Sequence, residues 1–435
     1  MTKGYDFITL GCKVNAYESE GMALVLDKIG YHQVKEGETP SVMVINTCTV
    51  TGTSDKKSRQ MIHRAIKNQP NAIICVVGCY SQLASEQVAE IPGVNIVLGT
   101  NNRSKIGEYL LDYLKNKQQI IAVSDSLKNH DFDLLSVTNY HDTTRAYLKV
   151  QDGCNNFCSY CIVPYARGPI RSRDKDIILK EAQTLVDQGF QELVLTGIHT
   201  AGYGLDLEDY SFADLLTDLV SKVKGLKRLR ISSIEESEID DKIIDLLKNS
   251  PIIVNHLHIP LQAGCDKTLK QMRRKYTLAQ YEKTINKIRA AKPDIAITTD
   301  VIVGFPGESE ADFEDTKQFI QKINFTQLHV FPYSSRAGTP AALMPNQIDP
   351  KVKKERVLEL IKLSNEQAKR YARLHEDKLL PILFETYDEN TETLEGHAPN
   401  YMRVKVKGKK ELLHTIKNVR IKVGGFPLSL GELEE

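Results

Sequence analysis

At 435 residues the chain has room for three domains of about 150 residues each, and its 41% hydrophobic content supplies real cores. A formal net charge of +1 gives no general pull toward polyanions, so any such partner has to be met by local charge. No apolar run approaches the roughly 20 residues of a membrane span, and the opening Met-Thr-Lys-Gly-Tyr-Asp-Phe is no signal peptide, so the chain reads as cytoplasmic, with no membrane partner.

The first stretch alternates apolar strands at Asp6–Leu10, Val42–Asn46, Ile73–Val77 and Asn95–Leu98 with helical patterns at Asn15–Ile29, Ser54–Asn68 and Ser81–Glu90. That rhythm predicts an open parallel α/β domain over residues 1–123. Residues 124–142 are polar and lose the rhythm, and they read as a linker. A second series follows over 143–375. Its six strands are Ala146–Gln151, Glu192–Thr196, Arg228–Ser233, His256–Leu261, Ile297–Val303 and Gln327–Tyr333. Helical patterns separate them, and six right-handed βα repeats curl into a partial (β/α)6 barrel rather than a closed eightfold one. The helical stretch Lys351–Leu374 closes this unit. Residues 376–435 turn to short β-like runs at Leu380–Thr386, Tyr401–Val406 and Asn418–Val423, which predict a small antiparallel β-barrel. From Arg403 to Lys422 this unit carries eight Lys/Arg against the single acid Glu411, a bias toward a polyanion.

In a reducing compartment eight cysteines are ligands, catalytic thiols or core residues rather than a disulfide framework. Cys154, Cys158 and Cys161 crowd one loop, Gly153-Cys-Asn-Asn-Phe-Cys-Ser-Tyr-Cys161, directly after the first strand of the second series. A closed zinc site or a fully ligated four-iron cluster needs a fourth ligand, and none lies nearby. The simplest reading is a cubane with one iron open to a small molecule. Cys12, Cys48 and Cys79 each follow the end of a first-domain strand. Parallel strand ends share one edge, so these three converge in space. Small buried hydrophobes are the plain alternative for any one of them, but three in the same topological slot favour a second metal site. Cys75 lies inside an apolar strand and reads as core. Cys265 sits in a turn and is assigned to no metal.

The cysteine loop resembles the cluster loop of radical S-adenosylmethionine (SAM) enzymes. Together with the contexts of Cys12, Cys48 and Cys79, the run Asp300-Val-Ile-Val-Gly-Phe-Pro-Gly-Glu308 and a terminal basic barrel, the whole chain resembles the radical SAM methylthiotransferases. The runs Asn46-Thr-Cys-Thr-Val-Thr51, Gln151-Asp-Gly-Cys-Asn-Asn-Phe157 and Leu195-Thr-Gly-Ile-His199 are most similar to the branch acting on N6-threonylcarbamoyladenosine in tRNA.

The resemblance implies a fold of radical SAM type with a TRAM-like RNA-binding barrel at the end. It implies two 4Fe-4S clusters. One, on Cys154, Cys158 and Cys161, chelates SAM and generates a radical that abstracts hydrogen from adenine C2. The other, on Cys12, Cys48 and Cys79, carries the sulfur to be inserted, and a second SAM supplies the methyl group. Implied partners are the tRNA anticodon stem-loop, a reductant such as flavodoxin or ferredoxin, and a sulfur donor. For SAM itself the implied contacts are Tyr160 near the adenine, Thr196 and Gly197 at the amino group, and Ser233, Glu235 and Gln262 as hydrogen-bonding groups. Gly304 reads either as an ordinary turn or as part of an adenine-facing loop. The turn Gln262-Ala-Gly-Cys-Asp266 departs from the family in carrying alanine and cysteine where serines are usual. Alternatives are the same chemistry on isopentenyladenosine or on a ribosomal-protein aspartate, or a non-catalytic iron–sulfur protein that binds RNA. Arg167, Arg171 and Arg173, after the loop, and the run Met272-Arg-Arg-Lys-Tyr276 read as phosphate contacts at the barrel mouth, and His199, His256 and His258 as core or mouth residues rather than ligands.

Overall fold

The computed structural model describes residues 3–140 and 143–434, so the last two residues of the expected linker lie outside it. The first unit is a six-stranded, all-parallel sheet in the order His32–Gln33, Gly4–Thr9, Val42–Thr47, Ile73–Gly78, Val94–Leu98, Ile120–Ala122. The four central strands are those read from the sequence. The two edge strands escaped because two or three residues carry no periodic signal. The central strand Val42–Thr47 is buried along its whole length, as a strand covered on both faces must be. Alternate residues feed opposite faces. Val44, Cys75, Val77, Ile96 and Leu98 point into a core continuous with that of the second unit, and Met43, Ile45, Ile74, Val76 and Val97 form a separate core on the other side. The helix expected over Ser81–Glu90 is split at Ala84 into Cys79–Leu83 and Ser85–Ala89.

The polar stretch after the first unit does not hang free. Leu135 and Val137 are buried, and the Leu135 carbonyl accepts from Tyr17 at 2.7 Å, so this segment is mortar between the two units.

The second unit holds six parallel strands in two triplets. Arg228–Ile231, Glu192–Thr196 and Ala146–Lys149 form one, and His256–His258, Ala296–Val303 and Gln327–Pro332 form the other. A bridge between Leu229 and Ile253 joins them into one curved sheet. Because every strand runs the same way, all the following loops open on one rim.

The terminal unit is a closed five-stranded barrel in the order Leu379–Asp388, Thr393–His397, Arg403–Lys407, Ser429–Leu433, Ile416–Val423. It is not wholly antiparallel, as the sequence suggested. Val404 and Lys405 run parallel to Ser429 and Leu430. The reason is topological, since strand direction cannot alternate all the way around a closed ring of odd number. The basic bias is also weaker than the composition implied. Arg403 and Lys405 pair with Glu395, Lys410 with Glu389, Arg420 with Glu434 and Lys422 with Glu432. Lys407, Lys409 and Lys417 are exposed and have no acidic partner among the described residues.

Candidate active site

The strands Gly4–Thr9, Val42–Thr47 and Ile73–Gly78 are neighbours in the sheet, and Cys12, Cys48 and Cys79 follow their ends. The three thiols meet there. A Cβ on Gly11 would stand 2.9 Å from the Cys48 Cβ and 3.1 Å from its Sγ, so the chain passes this close only because residue 11 is glycine. Cys79 is buried, Cys48 half-buried, and Cys12 opens into a cavity. Burial raises the Cys48 and Cys79 thiols above their ordinary values, and each feels a neighbouring thiolate as a further raising influence.

The second trio is local. Gly153, at φ +75°, starts the loop where any side chain would overlap the Pro169 carbonyl. The loop is then pinned. Cys154 N donates to Gly168 O at 3.0 Å, Ser159 N to Met272 O at 3.0 Å, and Ser159 Oγ to Gln271 O at 2.7 Å. Cys161 N closes a turn on Cys158 O at 2.9 Å. Enclosure, reinforced by Cys158, pushes the Cys161 thiol up to about 12. Arg274 Nη1 donates to Cys158 Sγ at 3.4 Å while the same guanidinium pairs with Glu235. Burial pulls His199 down, but hydrogen bonds to Cys154 and Glu238 outweigh it and hold the imidazole at about 9.

Arg167 ties the segment after the loop trio to the sheet trio. It lies shortly after Cys161 in the chain, yet its Nε donates to Cys79 Sγ at 3.1 Å and its Nη2 to Asn15 Oδ1 at 2.8 Å. Its Nη1 reaches Glu18 at 2.6 Å. Glu18 also holds Arg103 and, at 2.7 Å, Lys149, which lies 2.6 Å from Asp152. All five partners are buried. Burial raises Glu18, but Arg103, Arg167 and Lys149 overcome it and bring the carboxyl down to about 2. This overturns the reading of Arg167, Arg171 and Arg173 as phosphate contacts. All three are buried, Arg171 donates to the Arg167 carbonyl at 2.9 Å, and Arg173 pairs with Glu181 at 2.6 Å. In Met272-Arg-Arg-Lys-Tyr276, Arg274 is likewise committed to Glu235, and Arg273 and Lys275 are exposed.

A cavity of about 820 Å³ opens between the three units. Cys12 and Lys13 line it from the first, Val163, Thr196, Gly197, Arg230, Ser233, His256, His258, Asp300 and His329 from the second, and Tyr401 from the third. Of the residues expected around SAM, Thr196, Gly197 and Ser233 therefore face this space. Glu235 is paired with Arg274 beside Cys158. Gln262 lies at φ +65° and engages through its backbone, its N donating to Asp300 O and its carbonyl accepting from Ile302 N, both at 2.8 Å. Gly304 donates its N–H to Glu308 and lies under the Lys353 side chain. Tyr160 is half-buried against the core. Cys75 is a core residue, as read, and Cys265 is buried with its thiol 3.4 Å from Asp312 Oδ1.

Several residues at or behind the cavity wall carried a signal that the sequence reading passed over. Arg228 and Arg230 alternate in the strand Arg-Leu-Arg-Ile, so both face one side, and Lys13 directly follows a strand-end cysteine. Tyr401 lies at φ +70°, with its ring stacked on His256 at 5.0 Å and under the Arg230 guanidinium at 4.6 Å. Burial raises the Tyr401 hydroxyl, but Arg145, Lys13 and Arg230 draw it below its usual value, the mark of a locally positive field. Among the described residues His258, Asp300 and His329 are the one group of His, Cys, Asp or Glu whose donor atoms all fall within 4.8 Å of one another. The two imidazoles stack at 5.2 Å and share the Asp300 carboxylate at 3.3 and 3.2 Å. Neither cysteine trio closes to a single-ion spacing. Thiol-only donors, gathered three at a time and faced by Arg167 or Arg274, fit an iron–sulfur cluster, whose corners hold thiolates further apart than one ion does.

A partial parallel barrel with three cysteines after its first strand defines the radical SAM class, and residues 148–320 match the radical SAM superfamily. Residues 5–99 match a family described as uncharacterized protein family UPF0004. The chain is 50% identical to threonylcarbamoyladenosine tRNA methylthiotransferase MtaB of Bacillus subtilis, over 98% of this chain and 95% of that one. It is 37% identical to a tRNA-2-methylthio-N(6)-dimethylallyladenosine synthase of Lachnoclostridium phytofermentans, over 99% and 95%. The fold is similar to that of a radical SAM methyltransferase, TsrM, from Kitasatospora setae, with a TM-score of 0.60 at 14% identity over 79% of this chain and 74% of that one. The chain belongs to the threonylcarbamoyladenosine tRNA methylthiotransferase family of radical SAM enzymes.

Proposed function

We propose that the chain is a tRNA methylthiotransferase that places a methylthio group on C2 of N6-threonylcarbamoyladenosine next to the anticodon. The observation that carries this reading is a chain half identical to a relative of that name that gathers two cysteine trios, one of which opens through Cys12 into the cavity between the units. The dimethylallyladenosine branch is the nearer rival, and at 37% identity it stands further off.

SAM and two 4Fe-4S clusters supply the radical, sulfur and methyl chemistry when bound, since an adenine C2–H has no acidic proton for a side chain to remove. Cys154, Cys158 and Cys161 would hold the cluster that meets SAM, and Cys12, Cys48 and Cys79 the auxiliary one. The protein's own work is placement and charge. Arg167 and Arg274 offset thiolate charge at Cys79 and Cys158. Thr196, Gly197 and Ser233 offer backbone and hydroxyl groups at the cavity wall, on the rim where the strands end. Glu18, Arg103, Lys149 and Asp152 fix the first unit against the barrel, so the two trios keep a constant separation. Arg336 adds a second clamp, pairing with Asp55 at 2.7 Å and donating to Thr49 Oγ1 at 2.8 Å, close to Cys48.

In the terminal barrel the unpartnered Lys407, Lys409 and Lys417 supply phosphate contacts to the stem-loop. A reductant protein and a sulfur donor complete the cycle. The reaction belongs in the cytoplasm, where tRNA is modified, and among the described residues no helix is long and apolar enough to cross a membrane. Nucleoside mass spectrometry of tRNA from a strain lacking the gene tests the assignment. Loss of the methylthio form of threonylcarbamoyladenosine is expected, and its persistence at the parental level would refute the reading.

A further inference from the structure

Lys13 lines the cavity directly beside Cys12, and among the described residues it has neither a hydrogen-bonding nor an ion-paired partner. Every neighbouring cation does. Arg230 pairs with Glu192 at 2.6 Å, Arg228 reaches the same carboxylate at 3.5 Å, and Arg145 pairs with Glu385 at 3.2 Å. Glu192 and Glu385 are thus already taken up by Arg145, Arg228 and Arg230, and neither pairs with Lys13. Asp300, the carboxylate in the lining, is engaged by His258 and His329 at 3.3 and 3.2 Å rather than by Lys13. The cysteine sulfur of the first trio that is given a cationic hydrogen bond receives it from Arg167, not from Lys13. A half-buried ammonium left without a counter-charge at a cavity wall is arranged for an anionic ligand.

We propose that Lys13, backed by Arg230 and Tyr401, is the subsite that reads the carboxylate of the threonylcarbamoyl group. This rests on the substrate assigned above and names the residues that select it. The chemistry places the group correctly. On a purine, C2 and the N6 substituent lie along the same edge, so a base presented with C2 toward the Cys12 trio carries its N6 carboxylate past the residues flanking Cys12. Tyr401 closes the wall with its ring stacked on His256 and under the Arg230 guanidinium, which makes the terminal barrel part of the base pocket as well as an RNA tether. A dimethylallyl group in the same place offers Lys13 no counter-charge and would leave a desolvated ammonium unpaired. A site built for a charged group rejects the analogue that lacks it.

The test uses full-length, cluster-loaded protein and anticodon stem-loop RNAs under anaerobic conditions, with Kd read by fluorescence anisotropy. One RNA carries threonylcarbamoyladenosine, a second its methyl ester, and a third dimethylallyladenosine. The native protein is expected to bind the acid about 10- to 100-fold more tightly than the ester. Lys13→Met should bind acid and ester alike, and Lys13→Arg should restore most of the preference. Iron content per chain accompanies each variant. If Lys13→Met keeps the native preference for the acid, the subsite is wrong. If that variant loses its iron, the native comparison still decides, because equal binding of acid and ester overturns the proposal. Tighter binding of the dimethylallyl RNA by native protein would instead overturn the substrate assignment itself.

Discussion

Cys154, Cys158 and Cys161 lie within eight residues on one pinned loop, whereas Cys12, Cys48 and Cys79 come together only because three strands are neighbours in a sheet. A local trio needs the correct turn geometry, and Gly153 together with the backbone bonds to Gly168 and Met272 provides it. A dispersed trio needs a finished fold. The loop site is therefore set by sequence-local constraints and the sheet site by tertiary structure. The two differ in how they should fail.

The largest expected effects come from removing the trios one at a time. Replacing Cys154, Cys158 and Cys161 by alanine should lower iron by about four per chain and abolish both SAM cleavage and methylthiolation. The same treatment of Cys12, Cys48 and Cys79 should also remove about four irons. Here, however, cleavage of SAM under reduction should persist while sulfur insertion is lost. Iron and sulfide analysis with chromatography of 5′-deoxyadenosine separates the two outcomes. Loss of cleavage in both variants would collapse the comparison into a single coupled site.

Both trios were legible in the sequence, for different reasons. The loop trio is a spacing, and spacing is what a sequence displays. The sheet trio was legible because each cysteine follows an apolar strand, and parallel strands share one edge. What the sequence hid was the join between them. Arg167 reads as a phosphate contact on a basic rim, because nothing local reveals that Glu18 and Cys79 of another unit will surround it. Lys13 and Tyr401 were hidden in the same way, as their meaning depends on a cavity walled by all three units. The parallel strand pair in the terminal barrel escaped too, since composition and period-2 patterning report strand existence and not direction.

Arg167→Met tests that join directly. The guanidinium is fully buried and compensates Glu18, Asp152 and Cys79 together. Its removal leaves buried carboxylates short of a partner, which costs about 3–5 kcal/mol. Denaturant unfolding followed by far-ultraviolet circular dichroism should show this loss, with the midpoint shifted and the slope unchanged. Iron retention should fall more at the sheet trio than at the loop trio, because Arg167 contacts Cys79 and no loop cysteine. A variant as stable as the native chain would mean that the network is redundant.

The smallest effect belongs to the cysteine that the comparison sets apart. Cys75 lies within the strand Ile73–Gly78, only four positions before Cys79, yet it is fully buried in the apolar core and burial alone pushes its thiol up to about 12. Its Sγ faces hydrophobic neighbours, and the strand end, not the strand interior, turns a side chain toward the shared edge. Cys75→Ala should cost about 1 kcal/mol through a small cavity. It should leave iron content and methylthiolation at native levels. A drop in iron here would mean that a cysteine inside the strand takes part in the cluster, and position past the strand end would no longer explain which thiols bind metal.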